Sequence, residues 1–419
     1  MKFFLLSVFI SIAFFFQSAQ AQWIRDTTIF ANSFGYHNGI TFLGKDGVSR
    51  SLNNGASWNR SDSGFSQMWT ERQVNCFVTI NNSVIAGVMT HSIYKTTNDG
   101  LNWIRSAAGI TSGATVNCLM KKDSVVYAGT NDGIFYSTND GNSWAVCSIL
   151  MYNKNVIAIN YIGSRLIASV QPDAIEEGIY LSTNNGANWY KSITGLNSFA
   201  TLYSIAVHRN NLVFASSTDG IIYKSTNQGN SWIQTHSETV LGNFYNPVYA
   251  LASFNLSLIA GCNNGIFMST NAGVNWFNFY FGVPEPGSQF QKDAIIKCGS
   301  TVFAAGNNGT YRIPYSSVSI QQISSSIPDK FELKQNYPNP FNPTTKINFL
   351  IPQSSFIQLK VFDISGREVK ELYKGNVTAG EYSVNFDASG LTSGVYFYTL
   401  SGSNGADQFS VTKKMLLVK

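Results

Sequence analysis

Short apolar runs alternate with polar turns rich in Gly, Asn and Ser along most of the chain. Residues 125–144, VVYAGTNDGIFYSTNDGNSW, show the unit. An apolar strand ends in Ala-Gly, a polar loop follows, then a second strand, a glycine turn and a third strand opening at Trp144. A further apolar segment, such as TVNCLMK, sits upstream. Runs this short, bounded by turn residues, predict strands rather than helices.

The turn recurs as SLNNGASW, TTNDGLNW, STNDGNSW, STNNGANW, STNQGNSW and STNAGVNW. Its tryptophans are Trp58, Trp103, Trp144, Trp189, Trp232 and Trp276, spaced by 45, 41, 45, 43 and 44 residues. Four short strands per repeat of this length predict the blades of a β-propeller. In each turn a glycine such as Gly141 supplies positive φ. An asparagine such as Asn139 hydrogen-bonds backbone two residues on. The tryptophan is expected to bury its ring between blades.

The loop between the middle strands occurs seven times, from LGKDGV (43–48) to AAGNNGT (304–310), once more than the tryptophan turn. The seventh unit, GTYRIPYSS, lacks turn and tryptophan. Residues 22–28, QWIRDTT, begin with the Trp-Ile-Arg that also follows the second turn. Trp23 is therefore expected to give blade seven its outer strand and close the ring. The rival is residues 318–323, where Ile320 aligns with the missing tryptophan.

Residues 1–21 have one lysine, an apolar core and Ala19-Gln20-Ala21, the pattern of a signal peptide cut before Gln22. No other stretch is apolar enough to span a bilayer, so no transmembrane span is expected in the mature chain. The propeller is assigned to 22–315 and a Ser-rich linker to 316–330. Residues 331–419 contain YPNPFNPTT and alternating strands such as FIQLKVFDI, GEYSVNFD and GVYFYTLS. These predict a small Ig-like β-sandwich. The expected fold class is all-β, a seven-bladed β-propeller followed by that sandwich.

The turns resemble the Asp-box, or bacterial neuraminidase repeat, S-x-D-x-G-x-x-W, with Asn in place of Asp in all six. The resemblance implies a sialidase-like fold in which the boxes are structural. It raises sialidase chemistry, which in that family uses a Phe/Tyr-Arg-Ile-Pro motif, an arginine cluster, a Tyr-Glu pair and an Asp. Tyr311-Arg312-Ile313-Pro314 is present, but after the last box, in the register of a blade-seven strand. NYPNPFNPTTKINF, VFDISGREV, FDASGLTSGVYFYTL and TKKMLLVK resemble the type A sorting domain of the type IX secretion system. That implies an encounter with the secretion machinery through 331–419, and release or attachment at the outer cell surface.

The chain has 419 residues, with 12% charged, 14% aromatic and 35 glycines, a balance that suits sheet. A net charge of +5 without a Lys/Arg run gives no nucleic-acid footprint. The five cysteines lack CxxC spacing and the four histidines are scattered, so neither metal nor cofactor is expected. The cysteines sit in strand contexts and read as small core residues. Asp46, Asp132 and Asp219 share one loop position and read as turn residues. The longer loop VQPDAIEEG brings Asp173, Glu176 and Glu177, and the blade connections carry Trp69, Tyr245 and Tyr280. These six are the candidate ligand-binding residues. The reading is a secreted, non-catalytic binder of glycan or protein. The alternatives are an exo-acting glycoside hydrolase, needing two facing carboxylates, and a propeller resembling photosystem assembly factors.

Overall fold

The structure, a computed structural model, describes residues 23–419 except 27–28, 91–92, 172–177, 198–200, 209–211, 218, 236–246, 255–256, 263–264, 280–289, 307–308, 316–319, 325 and 404–407. Seven four-stranded antiparallel sheets form the blades of a propeller. Blades one to six each use four strands consecutive in sequence, inner to outer. Blade one, for example, is Ser33–His37, Ile40–Lys45, Gly47–Ser51 and Asn59–Arg60.

Blade seven is assembled from both ends of the propeller. Its strands Phe290–Cys298, Thr301–Gly306 and Gly309–Pro314 are completed by Ile24–Asp26. Ile24 pairs with Arg312, Arg25 with Tyr311 and Asp26 with Thr310. Trp23 is 1% exposed. Closure thus falls to the segment of Trp23, as expected; of the rival segment, the described Gln321–Ser324 pairs with Gly380–Asp387 instead. Blade seven thereby gains a fourth strand like the other six, and the outer edge of every blade is only two or three residues long.

The repeated turn builds itself from its own residues. In blade three the Ser137 hydroxyl donates to Asn139 Oδ1 at 2.9 Å and accepts from Gly141 N at 2.9 Å. Asn139 Oδ1 also accepts from Ser143 N at 3.0 Å. The same three bonds recur in the other five turns. Gly141 has φ 76°, and a Cβ there would lie 2.5 Å from Ile85 Cδ1 of blade two. Glycine is therefore needed both for the turn and for the approach of the neighbouring blade.

The tryptophans stitch blades together. Trp103 Nε1 donates to Ser61 O at 2.8 Å and Trp144 Nε1 to Ser106 O at 2.9 Å. Each acceptor lies in the preceding blade, three residues beyond that blade's own tryptophan. Trp189 bonds instead to Gly186 O of its own turn. Trp189, Trp232 and Trp276 are buried, while Trp58 is half-buried against Phe303 of blade seven.

The remaining residues form two further sheets of a β-sandwich. One orders Gln321–Ser324, Gly380–Asp387, Thr344–Ile351 and Glu332–Leu333; the other orders Glu368–Val377, Ser355–Phe362, Gly394–Ser403 and Gln408–Leu417. Ile347, Phe349, Ile357, Leu359 and Leu400 are wholly buried between them. The Tyr398 hydroxyl accepts from Asn336 N at 2.8 Å and donates to Lys334 O at 3.0 Å, which holds the proline-rich segment on the core. The segment expected to be a linker thus contributes a strand, Gln321–Ser324, to the sandwich.

Candidate functional site

The propeller has two distinct faces. On one, the inner hairpin turn of a blade touches the tryptophan turn of the next: Asn81 Nδ2 donates to Asp140 Oδ1 at 2.8 Å and Lys122 Nζ to Asn185 Oδ1 at 2.8 Å. On the other, loops between the middle strands meet the connections between blades. Gly47 N donates to Arg72 O at 2.7 Å, Met89 N to Gln73 O at 2.9 Å and Gln171 N to Asn155 O at 2.9 Å. Of the expected ligand residues, Trp69 lies on this loop face.

Trp69 opens a 3-10 turn, Trp69–Glu71, in the connection between blades one and two, and is 62% exposed beside exposed Met68. Phe65 of the same stretch is buried and stacks on Tyr94 with ring centroids 4.1 Å apart. Arg72 pins the turn. Its Nη2 lies 2.7 Å from Asp62 Oδ2 and its Nε 3.1 Å from Asp46 Oδ1, while Nη1 donates to Gln67 Oε1 at 3.2 Å. Trp69 therefore projects from a braced platform. The connection between blades three and four repeats the arrangement: Ile149–Met151 forms a 3-10 turn capped by the Ser148 hydroxyl. There Ile149 is 86% exposed, and Leu150 and Tyr152 are exposed beside it.

At the axis, the inner strands of blades two to six each carry a β-bulge at the same point, leaving Asn75, Asn117, Ile157, Tyr203 and Tyr249 out of the ladder. Such bulges re-aim side chains. Asn75 and Asn117 line the axial cavity, and the rings of Tyr203 and Tyr249 lie 5.3 Å apart. Burial and its neighbour Tyr249 raise the pKa of Tyr203, so its phenol remains a neutral donor. Asn117 Nδ2 donates to Asn155 Oδ1 at 2.8 Å and Asn155 Nδ2 to Gln171 Oε1 at 2.7 Å. This amide chain runs from the axis to the start of the blade-four loop. Tyr203 and Tyr249 were not singled out from the sequence; the one signal is their shared place two residues before a core Ile or Leu in the inner strand.

The axial cavity of about 380 Å³ is lined by the inner strands of all seven blades, from Phe34 in blade one to Ile295 in blade seven. Its lining contains no Asp or Glu among the described residues; Lys297 is the charged one and lies over the Tyr315 ring at 3.9 Å. The described lining therefore offers no carboxylate pair. Asp173, Glu176, Glu177, Tyr245 and Tyr280 lie outside the described residues. Asp219 accepts from the Ser217 hydroxyl and from Ile221 N, as a turn residue does, and Asp46 braces Arg72. No group of three or more potential metal ligands occurs among the described residues.

Arg312 is explained by the repeat. Its Nη1 donates to Asn54 O at 3.1 Å, in the turn of blade one. Arg50 makes the same bond to Asp99 O at 3.0 Å and Lys224 to Ala272 O at 3.1 Å. All three are third-strand residues that cap the next blade's turn.

Comparison with known proteins agrees with this division. Residues 335–418 match the secretion system C-terminal sorting domain. The chain carries an export signal at its C-terminal end. This sorting domain implies secretion and contact with the type IX machinery. The propeller resembles YCF48 bound to a D1 peptide, at 14% identity, TM-score 0.54, over 70% of this chain and 96% of that one. It also resembles YCF48 from Cyanidioschyzon merolae, at 11% identity, TM-score 0.56, over 70% and 99%. The extracellular domain of BT4673 from B. thetaiotaomicron is similar over 95% of this chain and 59% of its own, at 10% identity and TM-score 0.54. At these identities the likeness is one of fold. No curated protein matches the sequence. Among the described residues no helix is long and apolar enough to cross a membrane.

Proposed function

We propose that the protein is an exported, non-catalytic binding propeller whose loop face takes an apolar polypeptide segment. The observation that carries this reading is the pair of braced connections bearing Met68 and Trp69, and Ile149 and Leu150, with their apolar side chains in solvent. Exposed aliphatic groups gain by burial against other apolar groups. A sugar, whose hydroxyls need polar partners, gains less from Ile and Leu. YCF48, a protein of the same fold, has been seen with a bound D1 peptide. The six turns are read as Asp-box repeats with an Asn substitution, serving structure alone. Signal cleavage before Gln22 and display at the outer surface complete the reading.

A second reading rests on the axial mouth. The paired rings of Tyr203 and Tyr249 in blades five and six, and the chain of side-chain amides in blades three and four, suit a neutral sugar ring. Panning a displayed random-peptide library against the purified protein, beside a glycan array, separates the two. Apolar peptides should be enriched, and Trp69→Ala with Ile149→Ser should weaken them at least tenfold. Glycan binding that survives those changes and is lost in Tyr203→Ala would favour the sugar. Glycan turnover would overturn both.

A further inference from the structure

Gln322 is buried where propeller and sandwich meet. Its backbone N–H donates to Thr270 O at 3.1 Å, at the turn of blade six. Its Oε1 accepts from Asn271 Nδ2 at 3.4 Å, and its Nε2 donates to Ala379 O at 3.1 Å in the sandwich. Just before it, the carbonyl of wholly buried Ile320 accepts from the Ser257 hydroxyl of blade six at 2.8 Å. On its other side Gln321–Ser324 forms the edge strand beside Gly380–Asp387, pairing Gln321 with Ser383, Gln322 with Tyr382 and Ser324 with Glu381. The approach is close: a Cβ on Gly380 would lie 2.4 Å from Gln322 Nε2 and 2.6 Å from Ser324 O.

A strand of four residues with a register shift contributes few hydrogen bonds of its own, and ordering it costs conformational entropy. Blade six supplies part of that ordering by holding Ile320 and Gln322. We propose that Gln321–Ser324 is a strand shared by the two domains, which couples completion of the sorting sheet to folding of blade six. An unfolded propeller would leave the Gly380–Asp387 edge open, and an open edge is a template for wrong pairing. The exported domain then presents a complete sheet only beside a folded cargo. Coupling of this kind is reciprocal: whatever one side loses, the other loses too.

Hydrogen exchange on the full-length protein, read by mass spectrometry, tests it. Gln322→Ala should speed exchange of the 380–387 amides at least tenfold while Gly394–Ser403 is unchanged. Ser257→Ala, a change made within blade six, should act in the same direction. Gly380→Ala should speed exchange in the blade-six turn, residues 269–273, and leave the blade-three turn, 137–141, unchanged. If Gly380→Ala unfolds the sandwich, the Ser257→Ala result decides alone. Exchange at 380–387 that ignores both Gln322→Ala and Ser257→Ala would overturn the proposal.

Discussion

The indole Nε1 of Trp23 donates to the carbonyl oxygen of Phe279 at 2.8 Å, and the two rings meet edge to face at 6.0 Å. Phe279 lies three residues beyond Trp276, so this is the bond that Trp103 and Trp144 make to their preceding blades. Trp23 therefore plays, in blade seven, the part that a repeat tryptophan plays elsewhere.

Trp23→Ala should destabilise the propeller by about 3–5 kcal/mol, the usual cost of emptying a buried aromatic site. Trp23→Phe keeps most of the apolar area but loses the hydrogen bond, and should cost less. Deleting residues 22–28 should cost at least as much as Trp23→Ala. Denaturant unfolding followed by tryptophan fluorescence would measure each.

Within a repeat turn, Trp144→Ala should cost about 3–5 kcal/mol. Asn139→Asp should be nearly neutral. Asn139 Nδ2 donates to Ser143 Oγ at 2.9 Å, and that hydroxyl can rotate to donate to a carboxylate instead. Gly141→Ala should be worse than Asn139→Asp, because its Cβ meets Ile85 and its φ is positive. Thermal melts of the three variants would rank them.

Arg312→Lys should keep the fold within about 1 kcal/mol, since Lys224 already caps a turn in the same way. A catalytic arginine clamp would not tolerate that change. Stability and any glycosidase activity, assayed together, would show which role Arg312 has.

Burial pushes the Cys147 and Cys298 thiols up to about 12 from 9.0. Burial also raises Cys262 well above its ordinary value. None of the five cysteines forms a disulfide. Alkylation of the native protein at pH 8 should therefore be slow at these three and fast only after denaturation. The unfolded chain releases these protons at lower pH than the fold does. Their contribution to stability is thus full below the unfolded thiol pKa and lost as pH rises toward 12. A pH series of melts should show stability falling on the alkaline side.

The blades were legible because each is specified locally. Ser, Asn, Gly and Trp at fixed offsets make a turn that needs little from elsewhere, and Trp23 carried the same local signature. The sandwich strands were legible from alternation. What the sequence did not disclose depends on distant contacts. Phe65 and Trp69 are both aromatic residues of one connection, and only packing against Tyr94 buries the first. Tyr203 and Tyr249 share a site because two separate strands bulge at one level. Gln321–Ser324 looked like linker because its pairing partner lies some sixty residues on and its anchor in another domain.

The claim that the loop face is the binding face is tested most directly by a footprint. A peptide taken from the displayed library would be bound to the intact protein and hydrogen exchange compared with the free state. Protection should fall on residues 65–73 and 147–155 and on the inner-strand starts around Tyr203 and Tyr249. Protection confined to the tryptophan turns, such as 137–144 and 182–189, would place the ligand on the opposite face and contradict the account.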